Sequence, residues 1–223
     1  MKPICHALLL IVFSLLVVSC ATVRLVNQGN ISRPIEMETY CIDLPDLDAW
    51  KDWAVTKAPM NETVLLERLK VYPLNGEILG RTEISISKME FLPLENGTSQ
   101  AELAKALIDD EEQAMRAAGE VPDGYELRDV KKEIVELNGK KLYTMTFRAT
   151  RGSATVASFK RQFFVEAAYY LYFPEDFEVS HNVYQFLIQE SYIPGSFTRV
   201  DLEKIYPVIN AFRLVRPEDH GHS

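Results

Sequence analysis

The sequence predicts an α+β fold: an antiparallel β-sheet packed by one long mid-chain helix and by a second, C-terminal helix. Three observations carry that prediction. Ser99-Gln100-Ala101-Glu102 introduces a stretch with apolar residues at helical spacing. Asn138-Gly139 stands between two runs of alternating polarity, the strongest short-range signal for a hairpin. The chain from Tyr125 to Tyr192 is rich in aromatic and β-branched residues and reads as an antiparallel meander.

The first strand is expected over Ile35 to Leu44. Pro45 to Trp50 then forms a turn, with Trp50 and Trp53 either packed inward or exposed as a ligand platform; inward packing is the reading for rings of that area. Val64 to Tyr72 and Thr82 to Leu92 follow as strands, joined by a loop containing Pro73-Leu74-Asn75-Gly76. In the second of these, Ile84 and Ile86 share one face while Met89 and Phe91 share the other, which predicts a bulge near Lys88.

The helix is expected from Gln100 to Ala118, ended by Gly119, burying Leu103, Leu107, Ile108, Ala114, Met115 and Ala118. Asp109-Asp110-Glu111-Glu112 reads as a solvated acidic face, because neighbours on a helix diverge and cannot converge on one cation. A strand then runs from Tyr125 to Leu137 and its partner from Lys140 to Thr150, with Arg151-Gly152-Ser153 as a turn. Ala154 to Phe173 is long for one strand, and a break is expected near Val165 to Ala168. Its aromatic residues point to both faces of the pleat, so both faces are expected to be covered. Val183 to Tyr192 is the last strand, and Thr198 starts a helix that Pro207 kinks or ends before Phe212.

At the N-terminus, Lys2 precedes an apolar run, Ala7 to Val18, interrupted by Ser14. It falls well short of the roughly 20 apolar residues a spanning helix needs, and reads as the h-region of a signal. The run closes on Val17-Val18-Ser19-Cys20, which resembles the lipobox of bacterial lipoprotein precursors. The resemblance implies removal of residues 1–19 and lipid on Cys20, whose chains would hold the protein at a membrane facing the periplasm or exterior. Ala21 is not the Asp that favours inner-membrane retention in enterobacterial relatives, which turns the expectation toward the outer membrane. Residues 20–34 read as a polar tether, 35–216 as a single domain and 217–223 as a polar tail.

The chain of 223 residues carries a net charge of −8, and loss of Lys2 makes the remainder more acidic still. Without a basic patch, nucleic acid and anionic lipid headgroups are poor partners. Of three cysteines, Cys5 leaves with the signal and Cys20 takes lipid, so Cys41 has no internal disulfide partner and reads as a buried strand residue.

The order of elements resembles the PsbP-like α/β/α sandwich. Ile42-Asp43-Leu44-Pro45 with Trp50, strands leading into the helix at 100–118, and the closing Ile209-Asn210-Ala211-Phe212-Arg213-Leu214 carry that resemblance. It implies a non-catalytic subunit or binding protein, and it fixes no functional residue.

No nucleophile elbow, phosphate-binding glycine loop or zinc-protease motif is present in the sequence. Asp176, Glu178 and His181, like Asp219, His220 and His222, lack the ordered spacing of a metal site. Asn61-Glu62-Thr63 and Asn96-Gly97-Thr98 fit glycosylation sequons, with no reason for use in a bacterial lipoprotein. The expected function is therefore that of a membrane-anchored binding or assembly module, with an envelope protein as partner and no cofactor. Tyr170, Tyr172 and Tyr184 are the candidate partner-binding residues. The alternative is an envelope hydrolase with a dispersed active site near His181.

Overall fold

The computed structural model describes residues 34–44, 50, 53–71, 78–91, 98–119, 125–156, 159–192 and 206–215. The expected lipidation site at Cys20, the tether and the polar tail lie outside them.

Seven antiparallel strands form the central sheet: β3 (Ala54–Ala58), β4 (Thr63–Val71), β5 (Ile78–Glu90), β6 (Tyr125–Leu137), β7 (Lys140–Val156), β8 (Phe159–Tyr172) and β9 (Asn182–Tyr192). Their spatial order is β3-β4-β5-β9-β8-β7-β6. A small second sheet joins β1 (Ile35–Glu36), β2 (Tyr40–Ile42) and β10 (Phe212–Leu214), with β2 in the middle. The helices are α1 (Gln100–Gly119), the short α2 (Phe177–Ser180) and α3 (Tyr206–Ala211). The fold is thus the mixed α+β class, mostly antiparallel sheet with few helices.

Each face of the large sheet carries its own core. On one face Val64, Leu66, Ile84, Ile86, Leu142, Ala168, Tyr170, Tyr184, Phe186 and Ile188 pack under the two ends of the described chain. Those ends contribute Ile35, Tyr40, Ile42, Leu44, Trp50, Trp53, Val208, Ile209 and Phe212. On the other face Tyr143, Met145, Phe147, Ala149, Val165, Tyr169, Leu171 and Leu187 pack with Ala104, Leu107 and Ile108 of α1. Strand alternation divides one sequence between these cores, as period two requires.

The helix begins as its sequence dictates. Glu102 N–H donates to Ser99 Oγ at 3.2 Å, and Ser99 N–H donates back to Glu102 Oε2 at 2.8 Å, a reciprocal capping box. At the hairpin, Asn138 and Gly139 both take positive φ (49° and 73°), the pair of left-handed residues that a two-residue turn between twisted strands needs. Trp50 and Trp53 are buried, 4.9 Å apart between ring centroids, with the Arg68 guanidinium 5.4 Å from the Trp53 ring.

Several expectations are corrected. Ile35 to Leu44 is not one strand: Met37 N–H donates to Tyr40 O at 2.9 Å, and the chain folds back to pair Ile35 with Ile42. β3 was not anticipated; Ala-Val-Thr-Lys-Ala has little strand character of its own and is fixed by pairing with β4. There is no bulge at Lys88, because β5 pairs with β9 in unbroken register from Gly80 to Glu90. The apparent slip arises because Ile84 and Ile86 serve one core while Met89 and Phe91 pack against the other. Real irregularities lie between Lys70 and Val71, Arg128 and Lys131, and Arg151 and Ala154.

Arg151-Gly152-Ser153 does not end β7, which continues to Val156. β8 does not break at Val165 to Ala168, where its pairing with β7 and β9 is continuous. Pro207 is the second residue of α3, where its missing N–H has no intrahelical partner to lose, and α3 closes at Ala211, before Phe212. The expected helix start at Thr198 lies outside the described residues.

Glu111 is not on a solvated face. It follows Ala104, Leu107 and Ile108 along the inner stripe of α1 and is buried, and burial raises its carboxyl pKa. Asp109 and Glu112 do reach solvent, but both are 2.6 Å from Lys132 Nζ on β6, which clamps the helix to the sheet edge.

Candidate functional site

The three tyrosines expected to meet a partner belong instead to the first core. Tyr170 and Tyr184 are each 2 % exposed, and Tyr172 is half-buried. Tyr172 pairs with Tyr184 across β8 and β9, and both rings meet Phe212, at 6.1 and 5.1 Å. Tyr170 stands edge-on to Tyr206 at 6.1 Å, and Tyr40 edge-on to Tyr184 at 5.8 Å. The physical reason is topological: α3 and β10 return over this face and cover the rings that a bare sheet would expose. Tyr170 and Tyr184, so covered, contribute to stability and present no surface to a partner, whereas Tyr172 stays half-buried.

Beside them lies a polar cluster that ties the N-terminal segment to the sheet. Glu62, at φ 45°, accepts from Thr39 N–H at 3.1 Å and from the Thr39 hydroxyl, and its Oε1 lies 2.9 Å from Lys88 Nζ. Tyr40 donates to the carbonyls of Glu62 (2.8 Å) and Ile86 (3.2 Å). Burial works to lower the Lys88 ammonium pKa, but the hydrogen bonds it donates to Glu90 and Glu62 outweigh it, and the net shift is upward. Burial, reinforced by the Glu62 charge, pushes the Tyr40 phenol well above its ordinary range.

His181 closes α2 as a left-handed cap at φ 52°; its N–H donates to Phe177 O, and its carbonyl accepts from Phe91 N–H at 3.0 Å. The ring stands edge-on to Phe177 at 6.2 Å, and Nδ1 is buried without a hydrogen-bond partner among the described residues. Asp176 and Glu178 begin the same short helix. Among the described residues no group of three or more His, Cys, Asp or Glu side chains is placed to hold a metal. Cys41 is buried on β2, and burial raises its thiol pKa.

Among the described residues, a polar cleft lies on the same face as these tyrosines, at the Arg148–Glu166 end of β7 and β8. A cleft of about 290 Å³ is lined by Arg128, Asp129, Arg148, Thr150, Phe164 and neighbouring residues of β6, β7 and β8, with Tyr192 of β9. Register builds it: Arg128 pairs with Arg148, Arg148 with Glu166 and Glu166 with Glu190, so one row of charged side chains crosses four strands. The next row places Phe164 beside Tyr192, stacked at 6.0 Å.

Within the cleft, Arg148 Nε donates to Glu166 Oε1 at 2.7 Å, and its Nη1 lies 3.5 Å from Asp129 Oδ2. Arg128 Nη2 donates to both carboxylate oxygens of Glu126, at 3.0 and 3.1 Å. Asp129 sits at the bulge of β6 with φ 52°, which brings this acid to the cleft wall. Burial and then the charge of Glu190 raise the Tyr192 phenol, with Arg148 opposing them. Charged Arg148, Glu166 and Glu190 within strands that otherwise feed the core are the trace of this site in the sequence.

The geometry defines an antiparallel α+β sandwich with a polar, aromatic-floored cleft. No family model matches the chain, and no curated protein matches it. Among solved structures it is similar to the solution structure of cyanobacterial PsbP (CyanoP) from Synechocystis sp. PCC 6803, at 14% identity and a TM-score of 0.45. That match covers 88% of this chain and 99% of the other.

Proposed function

We propose that the chain is a lipid-anchored, non-catalytic binding module of the bacterial cell envelope, tethered through Cys20 and carrying its ligand surface at the open cleft. The observation that carries the reading is the short apolar run ending in Val17-Val18-Ser19-Cys20, too short to span a bilayer and closed by a cysteine after a small residue. Among the described residues no helix is long and apolar enough to cross a membrane. The cleft supports the binding half of the reading. Its charged groups form ion pairs with one another, which suits a recognition surface held in one geometry.

The rival reading, an envelope hydrolase built around His181, has the unpartnered Nδ1 in its favour. Against it, the residue already has a structural task as the cap between α2 and β9. Radiolabelled palmitate fed to cells expressing the full chain tests the anchor. Label is expected in the wild type and absent from Cys20→Ala, which should accumulate as the slower-migrating precursor; label retained by Cys20→Ala overturns the reading.

A further inference from the structure

The ligand chemistry of the cleft follows from how its charges are disposed, if the cleft is the binding surface proposed above. Arg128 and Arg148 face the carboxylates of Glu126, Asp129 and Glu166, so the charged groups at the cleft are already close to balanced. Glu190, fully buried, stands at the inner end of the same row. An anionic ligand would meet an excess of carboxylate. A cationic ligand would have to displace or pass two guanidiniums whose side chains are 60% and 63% exposed at the mouth.

A neutral ligand has neither difficulty. Planar guanidinium and carboxylate groups that hold one another in place present donors and acceptors side by side, the pattern that pairs with vicinal hydroxyls. Thr150 lines the same wall, and the stacked Phe164 and Tyr192 rings offer an apolar platform for the C–H face of a ring. The volume, about 290 Å³, is at the lower limit for a small-molecule site. We propose that this cleft binds a neutral sugar ring, laid on Phe164 and Tyr192 and hydrogen-bonded through Arg128, Arg148, Asp129 and Glu166.

Titration calorimetry of the full chain in detergent with the tetramers of β-1,4-linked glucose, β-1,4-linked N-acetylglucosamine and α-1,4-linked glucose tests this. At least one tetramer should bind saturably, with an affinity nearly constant between low and physiological salt. Phe164→Ala should weaken it by tenfold or more, and Arg128→Ala, an exposed position that leaves the core untouched, by at least threefold. Three results would overturn the sugar assignment: no saturable binding of any tetramer at millimolar concentration, binding that both variants retain, or salt-sensitive binding of acetate or tetramethylammonium in its place. None of these touches palmitate labelling, so the sugar assignment and the anchored-module reading fail separately.

Discussion

The two faces of the central sheet are covered in different ways. One is covered mainly by α1, whose inner stripe of Ala104, Leu107 and Ile108 packs with residues of β7 and β8, and by Phe177 of α2. The other is covered by segments from both ends of the described chain, residues 35–44 with Trp50 and Trp53, and residues 206–214, joined through β2 and β10. Most of the cover on the helix side comes from one contiguous stretch, α1. The other side exists only when residues about 170 apart in sequence have met, so its cover carries a larger loop-closure cost and depends more on each contact that holds it.

Truncating the residue where the two ends converge should break the second face most severely. Phe212 is fully buried, with ring contacts to Tyr40, Tyr184 and Phe186 between 5.1 and 5.2 Å. Phe212→Ala should lower the unfolding free energy by about 4 kcal/mol in a urea titration, against about 3 kcal/mol for Leu107→Ala on the helix side. An equal or larger loss at Leu107 would reverse the ranking of the two faces.

A second test addresses the polar seam of that same face. Lys88→Met leaves the buried Glu62 carboxylate without its ammonium partner and should cost about 3 kcal/mol at neutral pH. Because the folded-state pKa of Lys88 is raised, its stabilising contribution is present below the unfolded value, near pH 10, and is lost as pH climbs through the folded one. The stability difference between wild type and Lys88→Met should therefore shrink only in strongly alkaline solution. A difference that disappears in acid above pH 5 would contradict that assignment.

The smallest effect is expected on the helix side, and with the opposite sign. Burial raises the pKa of Glu111, so the neutral acid is the form that suits the fold. Its favourable contribution is present below the ordinary carboxylate pKa of about 4.3 and is lost as pH rises through the folded value. Glu111→Gln should be more stable than wild type at neutral pH by about 1 kcal/mol, with the gap closing near pH 4. A variant less stable than wild type at neutral pH would show that the carboxylate has an essential charged partner.

Local elements were legible where the sequence alone fixes them. The capping box at Ser99 and Glu102, the left-handed pair Asn138-Gly139 and the alternation of β7 depend on neighbours within a few residues. The errors fall where distant segments decide. Glu111 looked solvated within an acidic run, yet its place relative to β7 and β8 depends on how the helix docks. The Lys88 bulge was inferred from a change of face that needs no bulge once both faces are covered. That both faces of β8 are covered is legible from aromatic residues on either side of its pleat, but nothing local to β8 and β9 announces that Tyr206 will meet Tyr170 and Phe212 will meet Tyr184.

The α+β class, the long helix and its cap, the hairpin at Asn138-Gly139 and the burial of Trp50, Trp53 and Cys41 can be read from the chain before it folds. These follow from periodicity, turn chemistry and side-chain hydrophobicity, all of which act over short range. Tertiary structure alone decided which face each aromatic serves and that Arg128, Arg148, Glu166 and Glu190 stand in one row across four strands. The reason is strand register: a shift of one residue sends every side chain to the opposite face, and register is set by pairing between strands rather than by any strand's own sequence.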